Sequence, residues 1–579
     1  MIKKLASYIR EYKKDSILTP VFIAFEVILE VIIPVLMAMI IDNGVEKGNM
    51  KYVTILGVIM LVMAFISLTF GALAGKTGAK ASTGFAKNLR KGMFYKIQDY
   101  SFSNIDKYST AGLVTRLTTD VTNVQNAYLM IIRTLVRAPF MLIAAMVMSF
   151  YINSKMSLIF LGAIIFLGVS LYFVISNAHP IFKKVFRKYD DLNASVQENL
   201  TGVRVVKAYV REDHEISKFH KASQNLYNMF MKAEKIIILN APIMQFTMYT
   251  IILLFSWFGA KMIVSNSMTT GELMSLFTYA GNILMSLMMM SMVFVMVTMA
   301  KSSAERIVEV LEEESDLKNP ENPIYEVKDG SIDFNNVNFS YSKKEDNLNL
   351  ENINLNINSG ETVGIIGGTG SAKSTFVQLI PRLYDVTSGS LKIGGVDVRD
   401  YDIETLRNEV SMVLQKNVLF SGTIKENLRW GNKDATDEEI IEACNAAQAS
   451  EFIENFPDKY DTYIEQGGTN VSGGQKQRLC IARALLKKPK ILILDDSTSA
   501  VDTKTDALIR KSFKESIPDT TKIIIAQRIS SVEDADKIIV LNDGKIDGIG
   551  THEELLKTNE IYKEVYECQV KGAGEDEAK

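Results

Sequence analysis

The chain has 579 residues, 47% of them hydrophobic and 23% charged, with a formal net charge of −3. That length exceeds a single compact domain, and the apolar share with a positive mean hydropathy exceeds that of an ordinary soluble protein. The three cysteines, Cys444, Cys480 and Cys568, lack metal-ligand spacing and imply no disulfide framework, and no basic cluster is interleaved with aromatics as nucleic-acid binding would need.

The opening sets Leu5, Tyr8 and Ile9 against Lys3, Lys4, Arg10, Lys13 and Lys14, the pattern of an interfacial helix lying along a membrane. The apolar run behind it is span-length and has no small-residue cleavage site, which predicts a retained span rather than a cleaved signal peptide. Apolar stretches follow at 17–41, 53–75, 127–152, 156–176, 236–263 and 273–299, each at or above the roughly 20 residues that cross a bilayer. Six spans are therefore predicted. Between them, the N-terminal segment, 76–120 and 179–235 are long and rich in Lys and Arg, whereas 42–52, 152–156 and 264–272 are short. By the positive-inside rule, the long loops, both termini and the second half face the cytoplasm of a multi-pass protein of the cell membrane. Residues 1–310 carry 32 Lys and Arg against 19 Asp and Glu, and the remainder 32 against 48. The basic loops either obey the topology rule beside anionic lipid or dock on the acidic half.

Charges also fall inside the spans. Glu26 and Glu30 share one face of the first, and Arg133 and Arg137 share one face of the third. Counting in from the outer ends near Asp42 and Asn153 puts Glu26 and Arg137 at the same depth, which predicts an ion pair and leaves Glu30 facing a cavity, available to a cationic substrate. The other reading keeps all four charges in cytoplasmic extensions, paired with one another. Met285, Met288, Met289, Met290, Met292, Met296 and Met299 crowd the sixth span, either as an adaptable lining for varied apolar substrates or as helix packing.

Residues 311–330, with an acidic run and with Pro320 and Pro323, break the helical pattern and separate a membrane domain at 1–310 from a second domain at 331–568; the tail 569–579 is small, charged and expected to be disordered. Ile332, Phe334, Val337 and Phe339 mark a first strand, Ile353, Leu355 and Ile357 a half-buried antiparallel one, and strands then alternate with helices as in an α/β core. The strand Val363 to Ile366 feeds Gly367-Gly368-Thr369-Gly370-Ser371-Ala372-Lys373-Ser374-Thr375. That arrangement aims backbone N–H groups at phosphates, with Lys373 reaching the terminal ones and Ser374 able to ligate Mg²⁺, and so points to ATP.

Around this loop stand, in order, Tyr341, Gln415, the run Ser472-Gly473-Gly474-Gln475, a buried strand ending in Asp495, and Ser499-Ala500-Val501-Asp502. The set resembles the nucleotide-binding domain of ATP-binding-cassette (ABC) transporters. Thr110 to Asp120 and Gly202 to Glu212 are similar to the two coupling segments of the exporter type, so the resemblance runs from residue 1 to about 568. It implies a multidomain fold: an all-α six-helix transmembrane domain followed by an α/β P-loop nucleotide-binding domain. It also implies ATP and Mg²⁺ as cofactors, Tyr341 stacked on adenine, and Ser374, Gln415 and Asp495 facing Mg²⁺ through ATP. Ser472, Gly473, Gly474 and Gln475 would act on ATP bound by a second subunit.

This chain departs from the family where a catalytic glutamate and a histidine are usual, carrying Asp496 and Gln527. A carboxylate set back by one methylene, about 1.5 Å, costs on the order of a hundredfold in rate. The site is expected to bind ATP well and hydrolyse it poorly. Ala372 replaces the family's last loop glycine, harmlessly if its φ is negative. With one membrane half and one ATPase half, the resemblance implies a half-transporter paired with a second one carrying the Glu and His, moving hydrophobic or amphipathic compounds outward through the lipid bilayer. A regulatory or gating ATP-binding protein, or an importer on the same fold, are the alternatives.

Overall fold

The computed structural model describes residues 1–344, 347–497 and 499–576. It separates into two units, one of Met1–Gln98 with Thr110–Glu313, the other of Asp99–Ser109 with everything from Glu314 onward.

The first unit is helical, and six of its helical stretches are long and apolar enough to cross a membrane: Ile2–Val45, Met50–Gln98, Thr110–Ile152, Ser154–Phe182, Glu212–Val264 and Thr270–Glu312. The helix Met50–Gln98 has 49 residues. At 1.5 Å per residue that is about 74 Å, more than twice a hydrocarbon core of about 30 Å. The stretches 76–120 and 179–235, which hydropathy marks as loops, are accordingly mostly helix, including Ser154–Thr201 and Glu212–Ile237. Hydropathy locates where the lipid ends, not where the hydrogen-bonded ladder ends.

The N-terminus is two short helical pieces, Ile2–Ala6 and Ser7–Tyr12, kinked at Arg10 with φ 43°. Instead of one free amphipathic face, it has tyrosines packed on Met50–Gln98: a Cβ at Gly84 or Gly92 would stand 2.3 Å from the ring of Tyr12 or Tyr8. Asn88 Nδ2 seals the contact by donating to Tyr8 O at 3.1 Å and Glu11 Oε2 at 3.2 Å. In the first span Pro34 removes an N–H from the ladder, and nearby carbonyls gain donors from the sixth: Tyr279 Oη donates to Val31 O at 2.5 Å and Ser275 Oγ to Pro34 O at 2.6 Å. Asp120, 1% exposed, accepts from Arg306 Nε at 2.7 Å and Nη2 at 2.5 Å, clamping the third helix to the sixth.

The second unit is built on two sheets. A six-stranded sheet runs in the order Lys545–Gly550, Lys537–Asn542, Thr362–Ile366, Thr521–Ile525, Ile491–Asp495 and Val410–Val413, all neighbours parallel except the first pair. Ile491–Asp495 and Thr521–Ile525 are buried at every position, as near-continuous Ile and Leu runs require of parallel strands covered on both faces. The antiparallel sheet contains Leu350–Ile357, Ile332–Phe339, Ser388–Ile393 and Val396–Asp397. Phe334 stacks on Phe376 at 4.4 Å in the core that includes residues of both sheets. The tail expected to lack structure continues the helix Glu560–Asp576 in its backbone, and 577–579 lie outside the described residues.

The short helix Phe102–Lys107 belongs to this second unit. Asp316 collects hydrogen bonds from Ser101 Oγ at 2.5 Å, Ser103 Oγ at 2.7 Å and Lys343 Nζ at 2.7 Å, and Tyr384 Oη donates to Asp106 Oδ2 at 2.5 Å. Burial pushes the Asp316 carboxyl up, but the bonds from Lys343, Ser101 and Ser103 outweigh it and hold the pKa down to about 2. A folded-state pKa below the unfolded value means stabilisation that is complete above the ordinary aspartate range, near pH 4, and lost as pH falls toward 2. We predict that urea midpoints of this unit, followed in the full chain, fall less steeply between pH 5 and pH 3 in Asp316→Asn than in the wild type; parallel profiles would contradict this.

Candidate nucleotide site and membrane cavity

Three strands, Thr362–Ile366, Ile491–Asp495 and Thr521–Ile525, run parallel and end at one edge of the sheet, where a strand-to-helix turn can present its N–H groups. The loop Gly367–Ala372 leaves the first and enters the helix Lys373–Leu379. Gly370 has φ 87°, and Cβ atoms built at Gly368 and Gly370 would meet nothing within 4 Å, so open space adjoins the loop at these two positions. Ser371 is buried, and Lys373 Nζ lies over the loop, donating to Gly367 O at 2.8 Å, Gly368 O at 2.7 Å and Ser371 Oγ at 3.3 Å.

Ser374 Oγ donates to Asp495 Oδ1 at 3.0 Å. A hydroxyl beside a carboxylate at the foot of a phosphate-binding loop fits a hard, oxygen-seeking Mg²⁺ shared with a nucleotide. Burial pushes the Asp495 carboxyl up, helped by Asp496 and opposed by Ser374 and Lys373; burial pulls the Lys373 ammonium down, opposed by Asp495 and Asp496. The donor set therefore fits MgATP. Tyr341 is 45% exposed, its hydroxyl 3.1 Å from Thr375 Oγ1 and donating to Gln378 Oε1 at 3.2 Å, and its ring meets Tyr384 edge-on at 5.1 Å. An exposed ring beside the loop helix leaves a face for a base. Gln415 is exposed, and no hydrogen bond joins its side chain to Ser374 or Asp495 among the described residues.

Asp496 and Gln527 follow adjacent strands and are joined: Gln527 Nε2 donates to Asp496 Oδ2 at 2.7 Å. The amide occupies one oxygen of the carboxylate and has no basic nitrogen to offer in return. The motif reading missed two glutamines that hold this neighbourhood. Gln569 accepts from Ile529 N at 2.9 Å and donates to Gln527 O at 2.8 Å, fixing the turn behind Gln527. Gln477, 5% exposed, accepts from Ala500 N at 3.0 Å and donates to Ser499 Oγ at 3.4 Å. Gln477 sits two residues past Gln475 in a polar helix, with no spacing to single it out.

Ser472 caps the helix Gly473–Leu485 in a reciprocal box: its hydroxyl accepts from Gln475 N at 3.3 Å, and Gln475 Oε1 accepts from Ser472 N at 2.9 Å. At Gly474 a Cβ would lie 2.8 Å from Ala500 O, a close approach that glycine permits. Ala372 departs from the benign expectation. Its φ is 68° and ψ 23°, the left-handed region, so its methyl is strained where the family's glycine would not be.

In the membrane unit, Arg137 Nη1 donates to Glu26 Oε1 at 2.5 Å, as the depth count predicts. Glu30 is not left over. Arg137 Nη2 also donates to its two oxygens at 2.8 and 2.7 Å, because a guanidinium carries five donors and one turn separates the two acids. Arg133 is exposed and enters no ion pair among the described residues. Glu30 and Arg137 line a cavity of about 310 Å³ with Asn282, Met141, Met285 and Met289. Met288, Met292 and Met299 are exposed elsewhere on the sixth span's helix.

Comparison with known proteins agrees with this architecture. Residues 16–297 match the ABC transporter transmembrane region, and residues 350–499 match the ABC transporter family. The uncharacterised ABC transporter ATP-binding protein YfiB of Bacillus subtilis is 38% identical over 568 residues, covering 98% of each chain. An ATP-dependent lipid A-core flippase of Desulfotalea psychrophila is 33% identical over 580 residues, covering 98% of this chain and 99% of its own. YgaD of Bacillus subtilis, provisionally named a multidrug export ATP-binding/permease protein, is 30% identical over 594 residues at the same coverage.

Two outcomes follow from the geometry. Ala372→Gly should stabilise the second unit by about 1 kcal/mol in urea unfolding, and Ala372→Val should destabilise it by more, since a branched side chain suits the left-handed region least; destabilisation by glycine would contradict the strain. Arg137→Met should reduce folded protein, because it leaves two half-buried carboxylates of a membrane span without their cation, and adding Glu26→Gln and Glu30→Gln should restore it; full yield of the single variant in a detergent size-exclusion assay would contradict the triad.

Proposed function

The chain belongs to the ABC transporter family and is of the exporter type, and from that premise we propose that it is one subunit of a heterodimer moving hydrophobic or amphipathic compounds outward across the cell membrane. Both termini and the ATP-binding unit lie in the cytoplasm on this reading. The partner is a second half-transporter whose own site carries the glutamate and histidine that this chain replaces.

The observation that carries the proposal is the Gln527 to Asp496 hydrogen bond. A general base must reach the water it activates and have an oxygen to receive its proton. Asp496 is one methylene short of the family's glutamate, and one of its oxygens is engaged by an amide that cannot relay a proton. Bound MgATP supplies the phosphoanhydride whose hydrolysis drives the cycle. Toward it, Lys373 and the loop N–H groups would bind and neutralise phosphate oxygens, Ser374 and Asp495 would hold Mg²⁺, Tyr341 would offer its ring to the base, and Gln415 would sense the bound state, the role that the family likeness implies for it. Those roles support binding without fast turnover.

Ser472 to Gln475 serve the other site. The capped N-terminus of Gly473–Leu485 presents N–H groups and the positive end of a helix dipole, which stabilise charge on a γ-phosphate held by the partner. In the membrane unit, the cavity beside Met285 and Met289 supports a substrate space of adaptable shape, with the acid pair and Arg137 in its wall.

In the co-expressed pair, Ser472→Ala or Gly473→Asp should lower kcat by roughly tenfold or more, because they act on charge developed mainly in the transition state, whereas Asp496→Asn should change it by less than about twofold. Loss of turnover in Asp496→Asn would overturn the assignment of the working site to the partner.

A further inference from the structure

A second cavity, of about 270 Å³, lies in the nucleotide-binding unit behind the sheet. Its floor is Thr362, Lys522 and Ile524; one wall is the helix Thr503–Ser516, and the other runs from Ser531 to Ala535. Thr362 and Lys522 stand at the starts of parallel strands whose far ends carry the phosphate loop and Gln527. Four or five residues of extended chain, at about 3.3 Å each, separate the two places, so this cavity is not part of the ATP site.

Its lining holds four cations, Arg510, Lys511, Lys514 and Lys522, and one carboxylate, Asp534. Arg510 consumes that carboxylate, its Nη1 donating to Asp534 Oδ2 at 2.9 Å, and its Nε lies 3.3 Å from Asp506. Lys511 has Glu515 at 3.9 Å on the surface. Lys514 Nζ has a 3.5 Å bond to the Asp534 carbonyl, and Lys522 Nζ a 3.4 Å bond to the Pro518 carbonyl. Neither ammonium has a carboxylate within ion-pair distance among the described residues. Lys522 is 3% exposed. Asp536, which accepts from the Thr362 N–H at 2.8 Å, and Asp519 act on it only from farther off.

Burying an ammonium without a partner is costly, and long weak bonds to carbonyls do not offset it. A strand position facing a closed core would suit an aliphatic residue better, yet here the chain holds a lysine aimed into a cavity with a second unpaired ammonium at its rim. The burial that pulls the Lys522 pKa down, reinforced by Lys514, is the penalty an anion would relieve. Phosphate answers this arrangement better than a single carboxylate does, since it brings close to two negative charges and three terminal oxygens to two or three point-charge donors. Phe513, Ile524 and Ala535 leave apolar wall for a small organic body.

We propose that this cavity binds a small anion carrying a phosphate group, held by Lys522 and Lys514, at a site separate from the ATP site.

The test is amine acetylation of the purified full chain, read residue by residue by mass spectrometry, in inorganic phosphate against chloride of equal ionic strength. Lys514 and Lys522 should be protected saturably, about threefold at a phosphate concentration twice the dissociation constant. Lys522→Met should abolish the protection of Lys514, and Lys373→Ala should leave it intact. Lys514→Gln, read at Lys522, serves the same purpose should Lys522→Met not fold. Equal modification in phosphate and chloride, protection of Lys514 that survives Lys522→Met, or protection lost in Lys373→Ala would each overturn the proposal, the last by assigning the phosphate to the ATP loop.

Discussion

The chemistry of the nucleotide-binding unit depends on one constraint: parallel strands all end at the same edge. Because Thr362–Ile366, Ile491–Asp495 and Thr521–Ile525 are adjacent and codirectional, the groups that follow them converge without any long-range design. The glycine loop and Lys373 follow the first, Asp495 ends the second with Asp496 behind it, and Gln527 follows the third. Burial of the strands on both faces fixes their register to within one residue, and with it the 3.0 Å approach of Ser374 to Asp495 and the 2.7 Å approach of Gln527 to Asp496. Binding and hydrolysis share this edge but not its residues.

The membrane unit meets the complementary problem, placing charge where water is scarce. Two carboxylates and one guanidinium share a single network through both nitrogens of the Arg137 fork, and carbonyls near Pro34 accept hydrogen bonds from hydroxyls of the sixth span. Both arrangements tie the first span to its neighbours by polar bonds where apolar packing against lipid-like surfaces has little preference of partner. The network also sits in a cavity wall, so structural pairing and a place in the cavity lining coincide at Glu30.

Much of this was legible before any coordinates. Lengths of apolar run gave the six spans, alternation gave the strands around Ile332 and Ile353, and the ordered glycine and acid positions pointed to the strand edge where the glycine loop and Asp495 meet. Depth counting paired Glu26 with Arg137 but wrongly released Glu30, because it treats an ion pair as one to one while a guanidinium is a fork. Ala372 shows another limit: residue identity does not report φ, and the sign of φ decides whether a methyl is tolerated. Gln477 and Gln569 were hidden for a third reason, since hydrogen-bonding glutamines in polar helices carry no periodicity. The basic stretches 76–120 and 179–235 read as loops because charge marks the end of the lipid, and helix continues through it.

The central claim is that Asp496 and Gln527 hold back hydrolysis by a chain whose phosphate loop keeps Lys373 and Ser374 and whose Ser472 to Gln475 run is intact. ATP turnover by this chain purified alone, compared between the wild type and the Asp496→Glu, Gln527→His double variant, measures it directly. A rise on the order of a hundredfold in the double variant from a near-zero baseline is the result the account predicts. Brisk turnover by the wild-type chain alone, or no gain in the folded double variant, would contradict it.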